Sequence, residues 1–181
     1  MIVDGEGVPA GALDAALPAL RADLRLDGEA ADAELGRCLR AAAGLCEAFT
    51  GLALIERELM ERVEPRGGWA MLRMRPVRAV TGVAATDGAA LLGAHGIEIA
   101  ADGTGRVRAP GAVTVTYRAG LAADWAGVPE GLALGVVRMA GHLWTERDGA
   151  ERKAPAAVAA LWGPWRPVTL GGRPAGMGIA A

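Results

Sequence analysis

Residues 113–147 read VTVTYRAGLAADWAGVPEGLALGVVRMAGHLWTER. Val113, Val115 and Tyr117 alternate with Thr114, Thr116 and Arg118, the period of a strand with one buried face. A short loop follows. Pro129 then suits a first helical position, where its missing N–H has no partner to lose. Glu130 places negative charge in the first turn, where the helix dipole favours it. Leu132, Val136, Val137, Met139, Ala140, Leu143 and Trp144 recur at helical spacing, and Arg147 and Arg152 put positive charge near the far end. A strand, a loop and a capped apolar helix stand in sequence, and the flanking segments are expected to pack on them.

Upstream, Leu17–Leu24 can form a short helix with Leu17, Leu20 and Leu24 on one face. Asp27 is placed to N-cap the next helix, expected over residues 29–50. Its stripe is Leu35, Cys38, Leu39, Ala42, Leu45, Cys46 and Phe49, and Gly51 is placed to end it as the C′ residue. Arg37, Arg40 and Glu47 fall off the stripe. Met1–Ala16, rich in Gly, Pro and Ala, is expected to be loosely held.

Between the helical blocks the pattern reads as β. In residues 53–64, Ile55, Leu59 and Val63 are four apart, a helical spacing, yet the segments that follow read as strands, and strand is the reading adopted. Leu72 and Met74 alternate with Arg73 and Arg75, and Val77, Val80 and Val83 continue beyond Pro76. Asp87-Gly88, Asp102-Gly103 and Pro110-Gly111 mark turns, so residues 96–100, 106–109 and 113–119 form a meander. The economical architecture is α+β. Residues 17–54 and 127–162 build a helical bundle core, 55–121 form an inserted small antiparallel β lobe, and 163–181 form an extended tail.

Composition narrows the chemistry. A chain of 181 residues fits one domain, and 52% hydrophobic residues with mean hydropathy +0.25 supply a core. No apolar run approaches the ~18 residues of a membrane span. Asp4 and Glu6 precede any basic residue, so no secretory signal is expected and synthesis is placed in the cytosol. Ser, Asn and Gln do not occur, which excludes a serine nucleophile and leaves any oxyanion hole to backbone groups. Cys38 and Cys46 lie in one predicted helix, roughly 12 Å apart along its axis, too far to pair, and read as small hydrophobes. Residues 1–70 hold 13 acidic and 7 basic side chains and residues 71–181 hold 8 and 12, which reads either as a dipole that favours head-to-tail contacts between copies or as a chance imbalance.

No catalytic, metal-binding or cofactor-binding set emerges. His95 lies in a Gly/Ala loop and His142 inside the apolar helix. No HExxH, CxxC or phosphate-loop pattern occurs. Glu56, Glu58, Glu61 and Glu64, among Arg57 and Arg62, read as a solvated mixed-charge face. Arg73, Arg75 and Arg78 are the nearest approach to a basic patch, and a solvent-facing strand explains them. Trp162 and Trp165 either close the core under the last helix or anchor a contact with another chain.

Five phrases together resemble a known family. They are Leu20–Asp27 (LRADLRLD), Leu39–Ile55 with its AFTGLALI ending, Arg75–Val80 (RPVRAV), Val113–Leu121 with Val128-Pro129-Glu130 and HLWTER at His142–Arg147, and Ala156–Trp165. In order and spacing they are similar to the head–tail connector, or adaptor, proteins of tailed bacteriophages, especially those of alphaproteobacterial gene transfer agents. The segment after Ile55 is more charged than in that family, and Leu143-Trp144 replaces its usual aromatic pair. The resemblance implies a structural neck protein in a virion or transfer particle, without cofactor or catalysis. It implies a homo-oligomeric ring, expected to be dodecameric, on the portal protein. Such a ring extends the DNA channel, touches the passing DNA without sequence preference, and presents a platform to the next neck or tail protein (a head-closure or stopper protein). The alternatives are a neighbouring neck component, such as a head-closure or tail-terminator protein, and a small cytoplasmic enzyme using His142 and Glu146.

On that reading the tail is the candidate portal-binding element. Trp162, Trp165 and Arg166 stand at its root, and Val168, Leu170, Met177 and Ile179 are apolar handles along it, with Arg173 its single charge. Its glycines and prolines deny it helix or strand, so it is expected to be disordered in the free subunit and to order on the portal.

Overall fold

The computed structural model describes residues 2–4, 7–66, 68–86, 95–146 and 154–167. The helices are α1 (Leu17–Leu24), α2 (Asp32–Thr50), α3 (Glu130–Thr145) and α4 (Ala156–Trp162). The strands are β1 (Ile2–Asp4), β2 (Arg57–Val63), β3 (Ala70–Met71), β4 (Val77–Ala85), β5 (Gly96–Ile99), β6 (Gly105–Arg108) and β7 (Val113–Ala119). The class is α+β, as expected.

The strand that decides the fold is central. β7 lies between β2 and β4 in an antiparallel sheet of order β1-β2-β7-β4. Its alternation is realised: Val113, Val115, Tyr117 and Ala119 point inward and are fully buried. β2 runs beside it in unbroken register from Arg57 opposite Ala119 to Val63 opposite Val113. The ambiguous four-residue spacing of Leu59 and Val63 resolves as strand, because four is also a multiple of two. Ile55 belongs instead to the helical core. A second sheet, β3-β6-β5, covers the inner face, and Val107, Leu72 and Met74 close the core between the two layers.

The helical core is separate. Leu35, Leu39 and Cys46 of α2 meet Leu132, Val136 and Met139 of α3, with Leu20 of α1 and Trp162 of α4. The matched stripes predicted for the two long helices do face each other. Gly51 ends α2 with φ 68, the left-handed conformation that glycine adopts without a Cβ penalty.

Three expectations need correction. Residues 7–16 are not loosely held: Ala10–Ala16 form a 3-10 helix, and Val8, Leu13 and Ala16 are buried in the helical core. Asp27 does not cap α2, which begins at Asp32 after Ala31 with no side-chain cap. Asp32 and Glu34 in the first turn supply the negative charge instead. Pro129 stands one place before the first helical residue of α3, Glu130.

The two halves are joined by hydrogen bonds across a narrow junction. The Ala53 N–H donates to the Arg75 carbonyl at 2.7 Å, and that of Arg75 to Gly51 at 3.0 Å. On the other side, the Leu121 N–H donates to Ala53 at 2.9 Å and that of Glu56 to Ala122 at 2.8 Å. Gly120 is there because nothing larger fits: a Cβ would stand 2.2 Å from the Glu56 Cα.

Candidate assembly surfaces

The tail root is well defined. Trp162 is 1% exposed, held against Phe49 with ring centroids 5.9 Å apart. Gly135 makes room for it, since a Cβ there would lie 2.2 Å from the indole Nε1. Of the proposed portal-contacting residues, Trp162 therefore lies in the core and fixes the root without offering surface. Trp165 is half-buried and Arg166 exposed, its guanidinium 4.9 Å from the Phe49 ring centroid. Val168, Leu170, Arg173, Met177 and Ile179 lie outside the described residues.

A groove of 510 Å³ runs beside α2. Leu45, Gly44, Ala41 and Cys38 form its floor, Leu143 of α3 adds a wall, and Glu34 and Arg37 stand at its far end, where they form an ion pair. Sequence reasoning missed this groove, because it treated Cys38 and Leu45 as wholly core when both are only partly buried.

The β lobe carries a second exposed apolar area. Trp69 is 44% and Met71 63% exposed. The Arg108 guanidinium lies 5.3 Å from the Trp69 ring centroid, a cation–π contact. Ile97 and Ile99 are exposed on the edge strand β5.

Two carboxylates expected at the surface are buried. Glu61 is 5% exposed and accepts from the Tyr117 hydroxyl at 3.0 Å and the Arg73 N–H at 2.9 Å. It is therefore not part of a solvated face: the β alternation turns it inward with Leu59 and Val63. Glu47 takes a bidentate contact from Arg57, Nη1 to Oε1 at 2.9 Å and Nη2 to Oε2 at 2.7 Å, and accepts from the Leu54 N–H at 2.9 Å. This ties α2 to the start of β2. Both carboxylates are engaged in holding structure. His142 pairs with Glu146 one turn on, Nδ1 to Oε1 at 3.6 Å, both partly exposed at the end of α3. Among the described residues no group of His, Cys, Asp or Glu is arranged to hold a metal ion, and no helix is long and apolar enough to cross a membrane.

Burial gives the core a pH dependence. Desolvation, then the neighbouring Glu47 charge, push the Cys46 thiol from 9.0 up to about 12. Burial and the Glu61 charge push the Tyr117 hydroxyl up as well. Both groups stay protonated in the folded chain when the unfolded chain would release the proton. The Cys46 contribution is complete below pH 9 and is lost as pH rises toward 12; that of Tyr117 is complete below pH 10 and is lost only above it. Urea unfolding across this range is expected to show stability falling by up to about 1.4 kcal/mol per pH unit for each group. Cys46→Ala should remove the part that begins near pH 9; an unchanged slope would contradict the assignment.

Comparison with solved structures bears on the whole chain. It is similar to a chain in the neck of an empty gene transfer agent particle computed with C6 symmetry: 32% identity, TM-score 0.76, covering 96% of this chain and 100% of that one. A chain in the neck of a native particle computed with C12 symmetry shares 28% identity over 96% of this chain and 100% of that one, TM-score 0.74. A chain in the virion of a native gene transfer agent shares 31% identity over 96% and 98%, TM-score 0.69. No protein-family model matches the chain, and no curated protein matches it. With one fold and about a third of its residues shared end to end, the chain belongs to the structural neck proteins of gene transfer agent particles, the connector family that its sequence resembles.

Proposed function

We propose that this chain is the adaptor of the particle neck. Twelve copies form a ring under the portal, extend the DNA channel and present a platform to the next neck or tail protein. As a neck protein the chain is structural and not an enzyme. The observation that carries the finer reading is the end-to-end likeness to a neck chain in a particle computed with C12 symmetry. A closed ring needs two different surfaces on each copy, one meeting the other. The uneven charge of the sequence and the separate apolar areas on helical core and lobe suit such a contact. DNA passing through the ring would meet it without sequence preference.

Electron microscopy of the purified protein, alone and with portal, tests the reading. A ring capping the narrow end of the portal is expected. A ring that ignores portal and binds tail components would instead make the chain a neighbouring neck component.

The tail residues 168–181, rooted at Trp165 and Arg166, are proposed to make the portal contact. Deleting them should leave the melting temperature within about 1–2 °C, since Trp162 keeps the root closed without them. Portal capture should fall at least tenfold. Undiminished capture by the truncated chain would remove the tail from the contact.

A further inference from the structure

The sequence offers Arg73, Arg75 and Arg78 as a basic run, and the fold breaks it up. Arg75 donates to the Thr50 carbonyl, and Arg78 to those of Gly120 and Leu121. Arg73, exposed between buried Leu72 and Met74, is grouped instead with two arginines of β6. In the β3-β6-β5 sheet Met71 and Glu98 flank Arg106, while Ala70 and Ile97 flank Val107. Val107 is fully buried in the lobe core, so Arg106 and Arg108, on either side of it, face outward. Trp69 lies with them. Its ring centroid is 5.3 Å from the Arg108 guanidinium, and a Cβ on Gly96 would stand 3.1 Å from the indole. The outward face thus carries Arg73, Arg106 and Arg108 around Trp69 and Met71, against one carboxylate, Glu98. Among the described residues none of the three arginines is in an ion pair.

We propose that this face binds the phosphate backbone of double-stranded DNA, without sequence preference. Like charges gathered on one sheet face repel, and Glu98 alone offsets only part of that. A polyanion offsets the rest, and each phosphate neutralised releases counterions. A guanidinium fork suits phosphate oxygens. The heads are also held in place. Arg108 is steadied by the Trp69 ring, and the Arg106 stem is packed down, with Nε buried, so less freedom is lost on binding. No helix projects from this face to enter a groove and read bases, which leaves backbone contacts. The chain's own acidic groups are a poorer match, since Glu29, Asp32, Glu34 and Glu56 already hold arginines. In a ring the face recurs in every copy, so contacts that are weak singly act together. That the DNA is the DNA carried through the neck rests on the function proposed above; the binding itself does not.

The test is fluorescence anisotropy of labelled duplexes of two unrelated sequences, titrated with the full chain at low and rising salt. Both duplexes should bind equally. The slope of log K against log salt should be about −2.7 per bound subunit, for three arginines at about 0.9 per phosphate. Arg73→Glu with Arg108→Glu, both exposed, should weaken binding at least tenfold and flatten the slope to about −0.9. Arg40→Glu with Arg138→Glu makes the same charge change on exposed positions of α2 and α3, and should cost less than about threefold. Thermal melts of both variants report that each is folded. If the first is not, Arg108→Ala reads the same contact, with a slope shallower by about 0.9. No binding by the parent chain at low salt would overturn the proposal, as would equal losses in the two double variants. So would an Arg73/Arg108 variant that binds DNA like the parent but no longer forms rings, which would give the face to a second copy. A ring that caps the portal while the Arg73/Arg108 variant binds DNA undiminished would end this proposal and leave the adaptor reading standing. Failure to cap the portal, with the DNA losses as expected, would do the reverse.

Discussion

Leu39→Asp and Val136→Asp are each expected to leave the chain largely unfolded at growth temperature. Both side chains are fully buried where α2 and α3 meet, and no basic group among the buried residues there could pair with a new carboxylate. Burying an unpaired charge costs about 3–5 kcal/mol, and the lost apolar burial adds about 2 kcal/mol. A whole domain holds only about 5–15 kcal/mol. Thermal melts should show a fall of about 10–20 °C or no cooperative transition. Partial recovery at low pH, where the new carboxyl protonates, would identify charge burial as the cause. Melts that match the parent chain for both variants would mean that these faces are not core.

Glu47→Ala should be nearly as damaging, by another route. The substitution takes the bidentate carboxylate from the Arg57 guanidinium, whose side chain is 10% exposed and which keeps its bond to the Ile55 carbonyl, and takes the acceptor from the Leu54 N–H. Breaking one side of such a pair costs about 3–5 kcal/mol, whereas replacing both partners by apolar groups of similar volume is often neutral. The double variant Glu47→Met with Arg57→Met should therefore melt well above Glu47→Ala. If Glu47→Ala melts like the parent, the pair is not what fastens α2 to β2.

These two cases also mark how far the sequence could be read. The stripes of α2 and α3 were legible because burial of a helix face imposes a period, and Leu39 and Val136 sit on it. The β7 face was legible for the same reason at period two. Glu47 was not: it lies off the stripe by helical counting, and its partner sits ten residues on, in another element. Only the turn at Gly51 brings them together. Glu61 misled in the same manner, since a charged residue in a mixed-charge run reads as solvated until Tyr117 arrives from a distant strand to bond it. The early residues misled because Gly, Pro and Ala predict looseness locally, while Leu13 and Ala16 are held by helices that come later. The assembly surfaces were the least legible. Trp165 and Arg166 could be singled out by composition, but a groove such as that between α2 and Leu143 exists only once two helices are placed.

The junction at Gly51–Glu56 sets how a subunit answers force. Its backbone bonds, Ala53 to Arg75, Leu121 to Ala53 and Glu56 to Ala122, lie on both sides of one short extended segment. Tension drawing lobe and helical body apart along that segment loads them together, in shear, so none can be peeled off alone. The Glu47–Arg57 clasp adds a brace beside them. A neck ring under load would then deform at the seams between subunits, while each subunit stays stiff.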